Sequence, residues 1–124
     1  MDVKTLPIVF SDDRGEIRDI LQNEIVNSLT ILTCAKDSIR GNHLHKETTQ
    51  FTYVIKGRLL LATKYESEDM QTREVVEGDL VNSPPMEQHA FKALEDSIIL
   101  AGCYGPRAGS QYETDTYRLE IPLI

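Results

Sequence analysis

The chain contains only three histidines, and all three lie in two short segments whose residue types could bind a metal ion. The first segment carries His43 and His45 and is followed by Gln50, and the second carries His89. Alternate side chains of a strand share one face, so His43 and His45 would point the same way. Three imidazoles and one amide oxygen are suitable ligands for a divalent transition metal. The spacing therefore predicts a site for Fe, Mn, Ni or Zn built from His43, His45, Gln50 and His89.

Short strands are the elements that would position these side chains. Helical periodicity is scarce, and the only helix candidates are residues 22–27 and 66–71. Runs with strand character recur between turn signals at residues 8–10, 16–21, 29–34, 51–55, 58–65, 74–76, 80–82, 89–93, 97–101 and 117–123. Many short strands at regular spacing predict an all-β sandwich or barrel, and a jelly roll removes its sheet edges by closure.

Length and charge limit the remaining possibilities. The 124 residues fit one domain spanning residues 1–124, which is long enough to bury a core. The net charge of −7 argues against a nucleic-acid partner, which needs a basic surface. No apolar run is long enough to span a membrane and the first ten residues do not resemble a signal peptide, so we expect a cytoplasmic protein. Cys34 and Cys103 lie in apolar runs and are expected to be reduced, buried thiols.

One strand also predicts self-association. If Gln50 points into a barrel, its alternate neighbours do so too, which leaves Phe51, Tyr53 and Ile55 on the outer face. Three large apolar side chains on an outer face form a patch of the kind that marks an interface. A second copy of the chain would cover this patch, so we expect a homodimer.

The two segments resemble the two motifs of the cupin superfamily. The matching residues are His43, His45, Gln50, Gly57, Gly78, Pro84 and His89, and the motifs span roughly residues 40 to 93. The resemblance implies a double-stranded β-helix, a small all-β jelly roll. Cupins usually place a glutamate at Gln50 and glycines at Asp37 and Met86. The neutral Gln50 can still offer its amide oxygen, and Glu47 is the alternative oxygen ligand.

A narrower resemblance is to the cupins that rework nucleotide-linked keto sugars, namely the sugar 3,5-epimerases and 3,4-ketoisomerases. It rests on residues 10–15, 40–46 and 84–91 together with Gln50. These enzymes typically need no metal, and the resemblance implies that His43 is the proton-abstracting base, with His45 and His89 beside it. Arg40 would contact the anionic part of the substrate.

The ketoisomerases place a proton donor in the strand that precedes the first motif. Here that strand, residues 28–31, lacks the arginine and tyrosine that the ketoisomerases use. The resemblance leaves Tyr53 or Tyr104 for the role of proton donor on the opposite face of the sugar.

Three functions remain open. The first is a metal-dependent enzyme with an open coordination position, such as an Fe(II)-dependent dioxygenase. The second is an isomerase or epimerase of a keto sugar or nucleotide-linked sugar, and the third is a non-catalytic sugar-binding module. The metal site and the free base are partly exclusive, because an imidazole nitrogen that binds a metal cannot also accept a proton.

Overall fold

Twelve β-strands and one short 3-10 helix make up the computed structural model, which describes residues 1–124. The strands are β1 (Asp2–Thr5), β2 (Phe10–Asp12), β3 (Gly15–Ile17), β4 (Ser28–Cys34), β5 (Ile39–Leu44), β6 (Thr49–Lys56), β7 (Arg58–Lys64), β8 (Gln71–Val76), β9 (Asp79–Ser83), β10 (Gln88–Ala93), β11 (Ser97–Tyr104) and β12 (Tyr117–Arg118). The 3-10 helix covers Gly109–Gln111.

The strands form two five-stranded antiparallel sheets in a jelly-roll arrangement. One sheet has the order β1-β9-β6-β11-β4 and the other has the order β12-β5-β10-β7-β8, while β2 and β3 form a separate hairpin. Strands next to each other in a sheet are mostly distant in sequence, which is typical of a double-stranded β-helix. The fold class predicted from the sequence is confirmed.

The core lies between the two sheets and is built by the inward side chains of alternating strands. In β6, Thr52 and Val54 are fully buried, as the alternation predicts once Gln50 points inward. Nine buried apolar side chains form one cluster: Cys34, Val54, Leu59, Leu61, Val75, Val81, Phe91, Ala93 and Ile99. Strands β6 and β10 contribute side chains to this cluster and also carry Gln50 and His89.

The predicted outer patch on β6 is covered in part by the chain itself. Phe51 is only 9% exposed and lines a second cavity, whose other walls come from residues 2–9 and 19–24 and from Leu80 and Asn82 of β9. The Tyr53 hydroxyl accepts a hydrogen bond from the Arg18 guanidinium at 3.1 Å, and Ile55 remains exposed. The N-terminal segments therefore provide some of the cover that we expected from a second copy.

Several boundaries differ from the sequence predictions. Neither helix candidate is helical, because each is about six residues long and has too few internal hydrogen bonds to offset nucleation. Strand β3 stops at Ile17, and only Tyr117–Arg118 of the predicted last strand pairs with a neighbour. Cys34 and Cys103 are buried free thiols, as predicted. None of the helical segments has the length and apolarity needed to cross a membrane.

Candidate functional site

A β-bulge at Asn42 directs the first histidine into the interior. Strands β5 and β10 pair His43 with His89 and Gly41 with Ala90, so Asn42 is the extra residue of β5. Gly41 and Asn42 both have positive φ, at 92° and 54°. A Cβ at Gly41 would lie 2.7 Å from the carbonyl oxygen of His89, so this position requires glycine. The Arg-Gly-Asn-His sequence is therefore the local signal for this bulge.

A tight turn before β10 positions the third histidine. The Met86 N–H donates to the carbonyl of His45 at 2.7 Å, which ties the second motif to the first. Met86 has φ of 73° and Asp37 has φ of 69°, both in the left-handed region that favours glycine. These are the two positions where cupins usually have glycine. The chain keeps the backbone conformation and accepts some strain to do so.

The three histidines converge on one point. The Nε2 atoms of His43 and His89 are 3.1 Å apart, and the ring centroids of His43 and His45 are 4.8 Å apart. One ring nitrogen from each histidine lies within 4.8 Å of those of the other two. His45 and His89 are buried and His43 is partly exposed, so the cluster is open to ligands from the His43 side.

Backbone carbonyls fix the tautomers of two of the rings. The Nδ1 atom of His45 lies 2.9 Å from the carbonyl oxygen of Asp115, and that of His89 lies 3.3 Å from the carbonyl oxygen of Glu87. A carbonyl oxygen only accepts, so each Nδ1 carries the hydrogen and each Nε2 carries a lone pair. The Nε2 atom of His45 is buried and has no hydrogen-bond partner. The lone pair of His45 therefore has no partner in the interior, whereas that of His89 faces Nε2 of His43 at 3.1 Å.

Burial keeps the imidazoles of His43 and His89 neutral. It lowers the pKa of His43 to about 4. Smaller contributions to the lowered pKa of His43 come from His45 and from the guanidiniums of Arg118 and Arg107. Burial also lowers the pKa of His89 to about 3, and the neighbouring His43 and His45 add to the shift. At neutral pH, His43 and His89 are therefore uncharged and can bind a metal or accept a proton.

Gln50 lines the same cavity as the three histidines, as the sequence predicts. Its amide nitrogen donates to the Thr52 hydroxyl at 3.0 Å, and the Cys103 thiol lies 3.9 Å from its amide oxygen. These contacts leave the amide oxygen able to accept a further partner. Glu47 is exposed and does not line the cavity, so the structure does not place it as the alternative ligand.

Three other predicted site residues differ in their positions relative to the cavity. Arg40 lines the cavity, although its guanidinium also donates to the carbonyl of Thr33 at 2.8 Å. Tyr53 does not line the cavity, because it is three positions from Gln50, an odd number, and therefore faces the outside of β6. Tyr104 is 53% exposed and is also absent from the cavity wall. The structure does not bring either tyrosine to the histidines.

The C-terminal segment supplies a wall that sequence reasoning missed. Five of its residues line the cavity of about 310 Å³: Arg107, Tyr112, Glu113, Thr116 and Arg118. The pairing of β12 with β5, which sets Arg118 opposite His43, brings them there. Arg107 and Arg118 were the available signal in the C-terminal stretch, but only the long-range pairing shows where they lie.

The cavity is locally positive although the chain is acidic. Arg40, Arg107 and Arg118 line it together with one carboxylate, Glu113, so three positive charges minus one negative leave an excess of two. Arg118 pairs with Glu113 at 2.8 Å. Arg107 lies 5.8 Å from the centre of the Tyr112 ring, within range of a cation–π contact. This arrangement favours an anionic ligand beside the histidines.

The model of the protein family described as Cupin matches residues 18–112 of this chain. The dTDP-4-dehydrorhamnose 3,5-epimerase of Sulfolobus tokodaii is 25% identical with a TM-score of 0.69; the match covers 77% of this chain and 65% of that one. QdtA, a sugar 3,4-ketoisomerase of Thermoanaerobacterium thermosaccharolyticum described in complex with TDP, is 18% identical with a TM-score of 0.77, covering 96% and 88%.

A third similar structure belongs to a much longer protein. It is the capsular polysaccharide assembling protein CapF of Staphylococcus aureus, which is 19% identical with a TM-score of 0.64. The match covers 94% of this chain and 33% of CapF. No curated protein matches the sequence.

Proposed function

The chain belongs to the cupin family, and we propose that it isomerises or epimerises a nucleotide-linked keto sugar in the cavity beside His43. One observation carries the proposal: neutral imidazoles and an excess of guanidiniums meet in a single cavity of about 310 Å³. The names of similar structures support it, since they include a dTDP-sugar 3,5-epimerase and a sugar 3,4-ketoisomerase.

The reaction begins with removal of a proton from the carbon next to the sugar carbonyl. His43 is neutral at pH 7 and lies on the open side of the cluster, so it is the residue that accepts this proton. His89, 3.1 Å away, has its hydrogen on Nδ1 and accepts from His43 through Nε2, so it orients the base and has no free N–H for the carbonyl oxygen of the sugar. An anionic substrate beside Arg107 and Arg118 would offset part of the field that lowers the pKa of His43, which makes it a stronger base.

The guanidiniums define where the charged part of the substrate binds. Arg107 and Arg118 hold the anionic group of the substrate at the C-terminal wall, and Arg40 contacts it from the neighbouring strand β5. Guanidiniums suit phosphate groups because they offer several donors in a plane. The sugar ring then extends toward the histidines.

A divalent metal fits the same residues. The buried, unpartnered Nε2 of His45 is an orphaned acceptor, and a 3.1 Å separation of two Nε2 atoms suits two ligands about 2.1 Å from one ion. His43, His45, His89 and Gln50 would hold the ion, which when bound would supply Lewis-acid activation of a carbonyl oxygen. Elemental analysis of protein purified without a histidine tag tests this, since one equivalent of a first-row metal bound through His43 would exclude that residue as the base. Negligible metal content would leave His43 as a free base.

The activity is tested with TDP-4-keto-6-deoxyglucose, the ligand named for a variant of the similar ketoisomerase. Proton NMR should show its conversion to the 3-keto isomer or to a C3 or C5 epimer. Because a positioned base contributes about 10²- to 10⁴-fold, His43→Asn should slow the reaction by that factor. Tyr104→Phe, which alters an exposed ring outside the cavity, should leave the rate unchanged. Absence of conversion, combined with oxygen uptake after iron loading, would favour the dioxygenase.

The homodimer remains part of the proposal. Exposed apolar side chains support it, since Leu29 and Ile31 on edge strand β4 are 65% and 67% exposed and Ile55 adds to the uncovered surface. Light scattering should give twice the chain mass of 14.0 kDa. A particle of the monomer mass at micromolar concentration would contradict a stable dimer.

A further inference from the structure

The C-terminal wall of the cavity is anchored at one buried residue, Asp115, which is 3% exposed. Its carboxylate accepts hydrogen bonds from three consecutive backbone N–H groups, those of Lys46 at 3.0 Å, Glu47 at 2.9 Å and Thr48 at 2.8 Å. Such charge-assisted hydrogen bonds are stronger than neutral ones. The turn that follows the first motif is therefore fixed to the C-terminal segment.

The backbone of the same residue orients a histidine. The carbonyl oxygen of Asp115 accepts the hydrogen bond from Nδ1 of His45 at 2.9 Å, so the main chain and the side chain of Asp115 together bind residues 45–48. Glu113 and Thr116, on either side of it in the chain, form part of the cavity wall together with Arg118. A shift of Asp115 would therefore move both the carbonyl oxygen that binds His45 and the C-terminal wall that carries Arg118.

We propose that Asp115 is a positioning residue that sets both the tautomer of His45 and the position of the C-terminal wall, which carries Arg107 and Arg118. Its carboxylate holds the carbonyl against Nδ1, so the lone pair of Nε2 stays directed into the cavity. The inference deepens the proposed function, since it concerns the same site, but the tautomer can be measured without turnover.

Asp79 supplies a matched control. It is also 3% exposed, and its carboxylate accepts from the backbone N–H of Val76 at 2.9 Å and from the Thr5 hydroxyl at 2.7 Å. It does not line the cavity. Asp79→Asn therefore removes a comparable buried carboxylate without touching the site.

The test is long-range ¹⁵N–¹H NMR of the histidine rings in the wild-type protein and in Asp115→Asn and Asp79→Asn. The wild type should show His45 with its hydrogen on Nδ1. Because the hydrogen bond that favours this tautomer is weakened, Asp115→Asn should lower the ratio of the two His45 tautomers by up to about tenfold. Asp79→Asn should leave the His45 signals unchanged.

Binding of TDP, measured by calorimetry, supplies the second readout. Asp115→Asn should weaken TDP binding by about 10- to 100-fold, the range found when supporting residues of a site are changed, and Asp79→Asn should not. Unchanged His45 signals in a folded Asp115→Asn would overturn the proposal. If that variant does not fold, the wild-type spectrum decides, since hydrogen on Nε2 of His45 would overturn it too. Failure of wild-type protein to bind TDP would count against the proposed substrate, while the tautomer result would stand.

Discussion

Replacing Gly41 with alanine tests whether the bulge positions the site. The residue has φ of 92°, where an L-residue costs about 1–2 kcal/mol. The new Cβ would also lie 2.7 Å from the carbonyl oxygen of His89 and 3.1 Å from the Cα of Ala90. Both contacts are with backbone, which cannot rotate away, so overpacking adds about 1–3 kcal/mol. The free energy of unfolding should therefore fall by about 2–5 kcal/mol.

Gly109→Ala is the control for this prediction. Gly109 also has positive φ, at 56°, but no atom lies within 4 Å of its added Cβ. Its substitution should cost only the conformational part, about 1–2 kcal/mol. Urea unfolding with linear extrapolation gives both values. An equal loss in the two variants would refute the argument that close approach of His89 is what demands glycine at position 41.

Three further outcomes follow from the geometry. Met86→Gly should raise the free energy of unfolding by about 0.5–1 kcal/mol in urea titrations, because it relieves a left-handed φ. Asp37→Gly should raise it less, because aspartate tolerates that region better. A loss of stability in both variants would contradict the presence of backbone strain at these positions. Leu61→Ala, at a fully buried position, should lower the free energy of unfolding, measured by calorimetry, by about 2–5 kcal/mol. A smaller loss would show that neighbouring side chains move into the cavity left by the substitution. Tyr53→Phe should leave the turnover rate unchanged and lower the free energy of unfolding by about 0.5–1.5 kcal/mol, because the hydrogen bond from Arg18 is lost. A large fall in the turnover rate would show that Tyr53 takes part in the reaction.

Strand alternation made much of the site predictable. A two-residue period is a local property, so the shared face of His43 and His45 and the inward direction of Gln50 could be derived from spacing alone. The same period places Tyr53 on the opposite face from Gln50. Proposing Tyr53 as a proton donor therefore conflicted with the pattern that identified the histidines, and the structure shows the outward position.

The C-terminal wall could not be predicted from the sequence. Asp115 and His45 are 70 residues apart, and their contact depends on the pairing of β12 with β5. A two-residue strand has almost no periodicity, so no local pattern locates Arg118 opposite His43. Similarly, cover of Phe51 by the N-terminal segments depends on long-range packing, which residue types alone do not specify.

Exchange of substrate hydrogen with solvent tests the central claim most directly. In deuterated water, the wild-type protein should introduce deuterium into TDP-4-keto-6-deoxyglucose at the carbon beside the carbonyl, as followed by NMR and mass spectrometry. The His43→Asn variant, whose amide cannot act as a base, should exchange about 10²- to 10⁴-fold more slowly. Exchange by His43→Asn at the wild-type rate would contradict proton transfer by His43. So would the absence of exchange by folded wild-type protein that a separate calorimetric measurement shows to bind TDP.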